Sequence, residues 1–115
     1  MKLTCQVKDQ ALNHAKKEFP NESVGLVYLA KGKKQYFPCK NQSENPEKHF
    51  ALDPSDYLKC AIKGDILAVI HSHPNAEPIP SEHDIKICER SKMPWFIVNP
   101  ETEQWGSYHP VQCKE

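Results

Sequence analysis

No stretch of this chain approaches the roughly 18 consecutive apolar residues of a membrane-spanning helix. Its first residues, Met1-Lys2-Leu3-Thr4-Cys5-Gln6, lack the longer apolar segment of a secretory signal. These absences point to the cytoplasm as the place where the protein is made. An excess of charge is also missing, since 15 basic residues balance 15 acidic ones, so no electrostatic case exists for nucleic acid or an anionic membrane as partner. Apolar residues are sparse, 38% of the chain with a mean hydropathy of -0.70. The core must be compact and loops must cover much of the surface. At 115 residues the chain is long enough for one core but not two, and a single domain over residues 1–115 is expected. There is no internal repeat and no low-complexity segment.

A C-x-x-C pair is absent as well. Cys5, Cys39, Cys60, Cys88 and Cys113 are odd in number and scattered, which excludes a full disulfide framework by parity and the usual four-cysteine zinc site by spacing. They are expected to stay reduced, as small buried hydrophobes or exposed thiols. A cysteine protease would need one of them activated by a histidine, and no local signature singles out such a pair.

What is present is a dense run, His71-Ser72-His73-Pro74-Asn75-Ala76-Glu77-Pro78-Ile79-Pro80-Ser81-Glu82-His83-Asp84. The apolar, β-branched stretch at residues 66–70 reads as a buried strand, and side chains two apart on a strand share a face. His71 and His73 can therefore converge on one ion. Pro74 stops the strand, and Pro78 and Pro80 keep the next segment irregular. Ser81 then reads as a helix N-cap with Asp84 at the third helical position, a capping box that sets both side chains at one helix mouth. Capping and metal binding by Asp84 are compatible if each uses one carboxylate oxygen. Two imidazoles and one carboxylate, with a fourth position open, form the ligand pattern of a catalytic rather than a structural zinc.

His71-x-His73-x7-Ser81-x2-Asp84, together with an upstream Glu22 in Asn21-Glu22-Ser23-Val24-Gly25-Leu26, resembles the JAMM (MPN+) metallopeptidases, and within them the N-terminal domains of the lambda-type phage tail assembly proteins. The likeness extends to Tyr36-x-Pro38-Cys39-x-Asn41, Pro46-Glu47-x-His49-Phe50 and Ala68-Val69-Ile70-His71-Ser72-His73-Pro74, and covers about residues 1–109. It implies zinc held by His71, His73 and Asp84, Glu22 as general base and acid, and Ser81 as hydrogen-bond donor to the carbonyl oxygen where negative charge develops. Glu22 could not be chosen from 10 glutamates without the resemblance, and Ser81 also has the capping role. The resemblance further implies cleavage of an amide or isopeptide bond in a peptide or protein substrate, with phage tail proteins as possible partners. The phage members carry a second, NlpC-type cell-wall peptidase domain, so the chain corresponds either to a single-domain form or to part of a two-domain one.

Along the chain, Val7, Ala11, Leu12, Ala15 and Phe19 recur at helical spacing, with Pro20 closing the helix. Strands are expected at residues 24–30 and 35–40, turned by Lys31-Gly32-Lys33-Lys34, followed by a loop at 41–48 and a short strand at 49–52. Asp53-Pro54-Ser55-Asp56 opens a helix that Gly64 closes. A strand at 66–73 carries the first two ligands, and after the Ser81 helix two strands follow at 94–98 and 104–108. This pattern predicts an α/β layered domain with a mixed sheet, and the family resemblance implies the cytidine-deaminase-like α-β-α arrangement of JAMM/MPN domains.

The remaining histidines carry less. His83 faces away from the position that Asp84 takes and is expected at the rim, His49 is expected as a satisfied structural histidine in a strand, and His14, on the polar side of its helix, and His109 have no partner that the sequence names. Trp95, Phe96 and Trp105 are expected in the core. Three other readings stand beside the hydrolase. One is a non-catalytic MPN-type assembly scaffold, against which the complete motif counts. Another is a peptidoglycan peptide hydrolase. The third, a zinc deaminase, needs H-x-E and P-C-x-x-C, whereas His73 takes the Glu place and Gln42 stands where the second Cys would follow Pro38-Cys39. With 10 residues between His73 and Asp84 and 31 after it, an insertion that grips ubiquitin is not expected. The short, proline-rich segment after His73 predicts a shallow open groove for an extended peptide, which could pair with an exposed sheet edge.

Overall fold

The computed structural model describes residues 1–110, so Cys113 lies outside the described residues. Helix α1 (Cys5–Glu18) starts where the Thr4 side chain accepts a hydrogen bond from the Val7 N–H, and it buries Val7, Ala11 and Ala15 along one stripe. Phe19, expected on that stripe, is instead the C-cap residue, has left helical geometry and is exposed. Strands β1 (Val24–Ala30) and β2 (Lys33–Cys39) form an antiparallel hairpin. Lys31 and Gly32 both adopt positive φ, 53° and 75°, so two residues suffice for the turn and β2 begins two residues before the expected 35. Helix α2 (Pro54–Lys63) is capped by Asp53, which accepts from the Ser55 N–H, and ends at Gly64. Strand β3 (Asp65–Ser72), helix α3 (Glu82–Ser91) and strands β4 (Trp95–Val98) and β5 (Trp105–Tyr108) complete the described elements.

The sheet order is β2-β1-β3-β4-β5. Only β3 and β4 pair in parallel, and every other neighbour is antiparallel, which is the mixed sheet expected. Strand alternation sends side chains to two faces. On one face Val27, Tyr36, Ala68, Ile70 and Phe96 pack with Val7 and Ala11 of α1. On the other, Val24, Leu26, Cys39, Val69 and Trp95 pack with Cys60 of α2 and Cys88 of α3. The result is the α-β-α layering that the resemblance implies, with three cysteines used as small core residues. Gly25 is required at the seam between hairpin and helix, since a Cβ there would collide with the ring and hydroxyl of buried Tyr36.

The strand expected at 49–52 does not form. One bridge, Asn41 to Leu52, is all that pairs there. The Asn41 side chain takes the backbone groups that a ladder would have used: its Oδ1 accepts from the N–H of Ser43 and Ala51, and its Nδ2 donates to the carbonyls of Glu22 and His49.

Candidate metal centre

Because β1 runs antiparallel to β3, the start of β1 lies against the end of β3, and Val24 pairs with His71. The junction is bonded twice, from the Ser23 N–H to Ser72 Oγ (2.7 Å) and from the Ser72 N–H to the Ser23 carbonyl (3.1 Å). Glu22 is thereby held beside His71, with its own N–H bonded to the Pro46 carbonyl at 2.7 Å. His73 lies just past β3, where its N–H bonds to the Val98 carbonyl at 3.0 Å. Asp84 comes from the first turn of α3. The capping box is present as expected: Ser81 Oγ accepts from the Asp84 N–H at 3.1 Å and Asp84 Oδ2 accepts from the Ser81 N–H at 3.0 Å.

His71, His73 and Asp84 offer ligand atoms that all lie within 4.8 Å of one another. Asp84 Oδ2 is 3.0 Å from His73 Nε2 and 4.0 Å from His71 Nε2. Tetrahedral ligand atoms around zinc stand about 3.3 Å apart, so these three need only small adjustments to share an ion. Asp84 does not divide its oxygens as expected; Oδ2 alone serves both the cap and the histidine side. Two further features fit a cation. The fully buried His71 Nδ1 has no hydrogen-bond partner among the described residues, a costly state that an ion held at that nitrogen would relieve, whereas Nε2 faces the Tyr108 hydroxyl at 3.1 Å. His73 Nδ1 faces the Glu77 carbonyl at 3.2 Å, the kind of outer contact that orients a ligating imidazole.

Burial and the mutual contacts of these groups set their electrostatics. Burial drives His71 down to about 3, although Asp84 opposes the shift. Burial also pushes Glu22 up to about 8, with His73 opposing and Asp84 adding to the rise. For Asp84, burial would raise the pKa, but the hydrogen bond from His73, the proximity of His71 and the Ser81 N–H outweigh it and hold the carboxyl at about 2. His73 is raised, because Asp84 and the Glu77 carbonyl outweigh its burial.

A cleft of about 280 Å³ opens over Glu22, His73 and Asp84. Glu47, Lys48, His49 and Phe50 form a second wall opposite His73, Pro74 and Ser81, held in place by the Asn41 hydrogen bonds. The proline segment is itself pinned: Asn99 Nδ2 donates to the Ala76 carbonyl at 2.6 Å, and Gly106 on β5 lets the Pro78 carbonyl approach closer than any Cβ would permit. His83 stands at the rim as expected. His49 does not; it is exposed, belongs to no strand, and its ring lies 6.2 Å from that of His83 across the cleft. His14 has a partner after all, the Tyr36 hydroxyl at 2.7 Å from its Nδ1, and the His109 ring packs near that of Phe96. Trp95 and Phe96 are buried as expected and Trp105 is half-buried.

Sequence reasoning assigned no role to Asn41, Phe50 or Tyr108. Phe50 packs its ring 4.7 Å from that of His71, and the Tyr108 hydroxyl is hydrogen-bonded to His71 Nε2 at 3.1 Å. Asn41 and Phe50 sit inside quoted stretches of family likeness, which was the available signal; Tyr108 had none. The thiols are poor nucleophile candidates. Burial pushes Cys39 up to about 12 and Cys60 and Cys88 up to about 11.

Over residues 5–111 the chain matches the family described as prokaryotic homologs of the JAB domain. It is 41% identical over 91 residues to the tail tip assembly protein K of Escherichia phage N15, an alignment covering 79% of this chain and 37% of that protein. It is 33% identical over 90 residues to the probable TtuB-protein conjugate cleaving protease of Thermus thermophilus, covering 73% of this chain and 60% of that protein. The chain thus spans less than two thirds of the length of either curated relative. The crystal structure of a JAB1/MPN domain protein from Archaeoglobus fulgidus shares the fold, with a TM-score of 0.63 at 23% identity over 95% of this chain and 89% of that one.

Proposed function

The chain belongs to the prokaryotic homologs of the JAB domain, and from that premise we propose that it is a zinc-dependent hydrolase of amide or isopeptide bonds. The observation that carries this reading is the convergence of His71, His73 and Asp84 with a buried carboxylate, Glu22, whose Oε1 is 3.9 Å from His71 Nδ1. Zinc bound by those three residues would supply acidification of a water and polarisation of the substrate carbonyl. The chain's own groups do the rest. Glu22 takes a proton from the water as its oxygen adds to the carbonyl carbon, and returns that proton to the amine nitrogen as the C–N bond breaks. Ser81 Oγ accepts the Asp84 N–H through a lone pair, which leaves its hydroxyl proton free to donate to the carbonyl oxygen.

The substrate in this reading is a peptide or protein segment rather than a folded ubiquitin, and the setting is phage tail assembly in the host cytoplasm. Support comes from the identity to a tail tip assembly protein and from a cleft lined in part by residues 47–50. Metal analysis of protein purified without chelator should find one zinc per chain. Asp84→Ala should lose the metal, whereas Glu22→Gln should keep it and lose turnover on a panel of peptide, isopeptide and muropeptide substrates. Full activity of Glu22→Gln, or metal bound through cysteine, would overturn the scheme.

A further inference from the structure

A second cavity, of about 550 Å³, lies on the sheet face that carries α2 and α3, lined by Phe50, Leu52, Ile87, Met93 and Trp95, with Tyr57 at its exposed mouth. It adjoins the metal cleft, since Phe50 and His83 line both. The Phe50 ring packs against both the His71 and the Trp95 ring, at 4.7 Å and 5.6 Å, and those two rings lie 5.7 Å from each other. The polar groups in its inner wall are already used. Ser91 Oγ accepts from Trp95 Nε1 at 2.8 Å and from the Met93 N–H at 3.2 Å, and donates to the Cys88 carbonyl at 2.9 Å. A polar side chain reaching that inner wall would lose water and meet polar groups already engaged, whereas an apolar one would gain from burial.

We propose that this cavity receives a leucine- or phenylalanine-sized side chain from the peptide held in the metal cleft, and so selects an apolar residue close to the bond that is cut. The proposal rests on the hydrolase reading for the word substrate, and on continuity of the two cavities for the occupant. Phe50 and His83 line both cavities, so the two lie side by side, within the span of a few residues of an extended chain. A peptide crossing the cleft therefore brings a neighbouring side chain to the cavity mouth without bending away from the metal. Ala51, exposed on the cavity rim, is the position from which a larger side chain would close it.

The test uses the full chain carrying Glu22→Gln and loaded with zinc, titrated by NMR with blocked alanine pentapeptides in which one residue at a time is replaced by leucine, phenylalanine or aspartate. For one position in the peptide, the leucine and phenylalanine versions should bind at least about tenfold more tightly than the alanine parent. The largest shift changes should fall on Ile87, Met93 and Trp95. Adding Ala51→Phe should erase that preference while zinc content stays unchanged. Equal affinity across the series, or a preference that survives Ala51→Phe, would overturn the proposal. A preference with these shifts in a wild-type protein that hydrolyses none of the peptides supports the pocket and counts against the hydrolase reading alone. Hydrolysis indifferent to the varied residue does the reverse.

Discussion

The pKa values of Glu22 and His73 are both raised in the metal-free site, and this sets its pH behaviour. Both ring nitrogens of His73 face acceptors, Asp84 Oδ2 and the Glu77 carbonyl, an arrangement that the charged imidazolium satisfies best. Its folded pKa is raised above 6.5 and that of Glu22 is raised from 4.5 to about 8. A raised pKa means that the folded state binds protons more tightly than the unfolded one. The stability from Glu22 is therefore complete below pH 4.5 and lost by about pH 8, and that from His73 is lost as pH rises from 6.5. His71 acts oppositely: with its pKa lowered to about 3, its contribution is present above pH 6.5 and lost as pH falls toward 3. Asp84, at about 2, adds a loss below pH 3.8. Metal-free protein should consequently lose thermal stability between pH 6.5 and 8 and again below pH 4.5. Zinc, which requires unprotonated histidine, should raise the melting temperature more at pH 8 than at pH 6. Melting curves with chelator and with added zinc would check both signs; a metal-free stability that climbs from pH 6.5 to 8 would contradict the assigned environments.

Two connections between elements decide whether the site exists. The first is the contact of Gly25 on β1 with Tyr36 on β2. Gly25→Ala should push the buried Tyr36 ring, loosen its hydroxyl from His14 and cost about 1–3 kcal/mol in denaturant unfolding, with the site's composition unchanged. The second is the tie from Asn41, at the end of the hairpin, to Glu22 and to the segment 43–51. Removing this side chain leaves several backbone groups without partners, so Asn41→Ala should cost about 1–3 kcal/mol. Because the same segment carries Phe50 and one cleft wall, amide exchange should accelerate across residues 42–51 while the core strands β1 and β3 stay protected. Uniform acceleration through the sheet would show that Asn41 serves the fold as a whole rather than this wall.

For the molecule as a whole, the division of cysteines between interior and surface gives a direct readout of the layering. Cys39, Cys60 and Cys88 are buried between the sheet and the α2–α3 layer, and Cys5 is exposed at the start of α1. In native protein, among the described cysteines, a thiol reagent should label Cys5 rapidly and the other three only on unfolding, as read by peptide mass mapping. Rapid labelling of Cys88 would mean that α3, and Asp84 with it, detaches from the sheet. Among the described residues no helix is long and apolar enough to cross a membrane.

Local pattern determined most of the elements and three of the site's side chains. Periodicity marked α1, the strand β1 and the run into His71, while Asp53, Gly64 and the Ser81–Asp84 box bounded α2 and α3. These signals are legible because caps, turns and alternation act within a few residues along the chain. His71, His73 and Asp84 were readable for the same reason, lying within a single short run. The rest needed distant segments to meet. Glu22 could be singled out only through family likeness, since its position depends on β1 pairing antiparallel with β3. The strand expected at 49–52 failed because Asn41, 8–11 residues earlier, claimed its backbone partners through a side chain, a competition that propensity does not register. The cleft wall, the Tyr108 contact with His71 and the apolar cavity beside Phe50 are likewise products of long-range packing. Sequence spacing brought the three candidate metal-binding residues together; the sheet order supplied the carboxylate beside them and the shape of the space above.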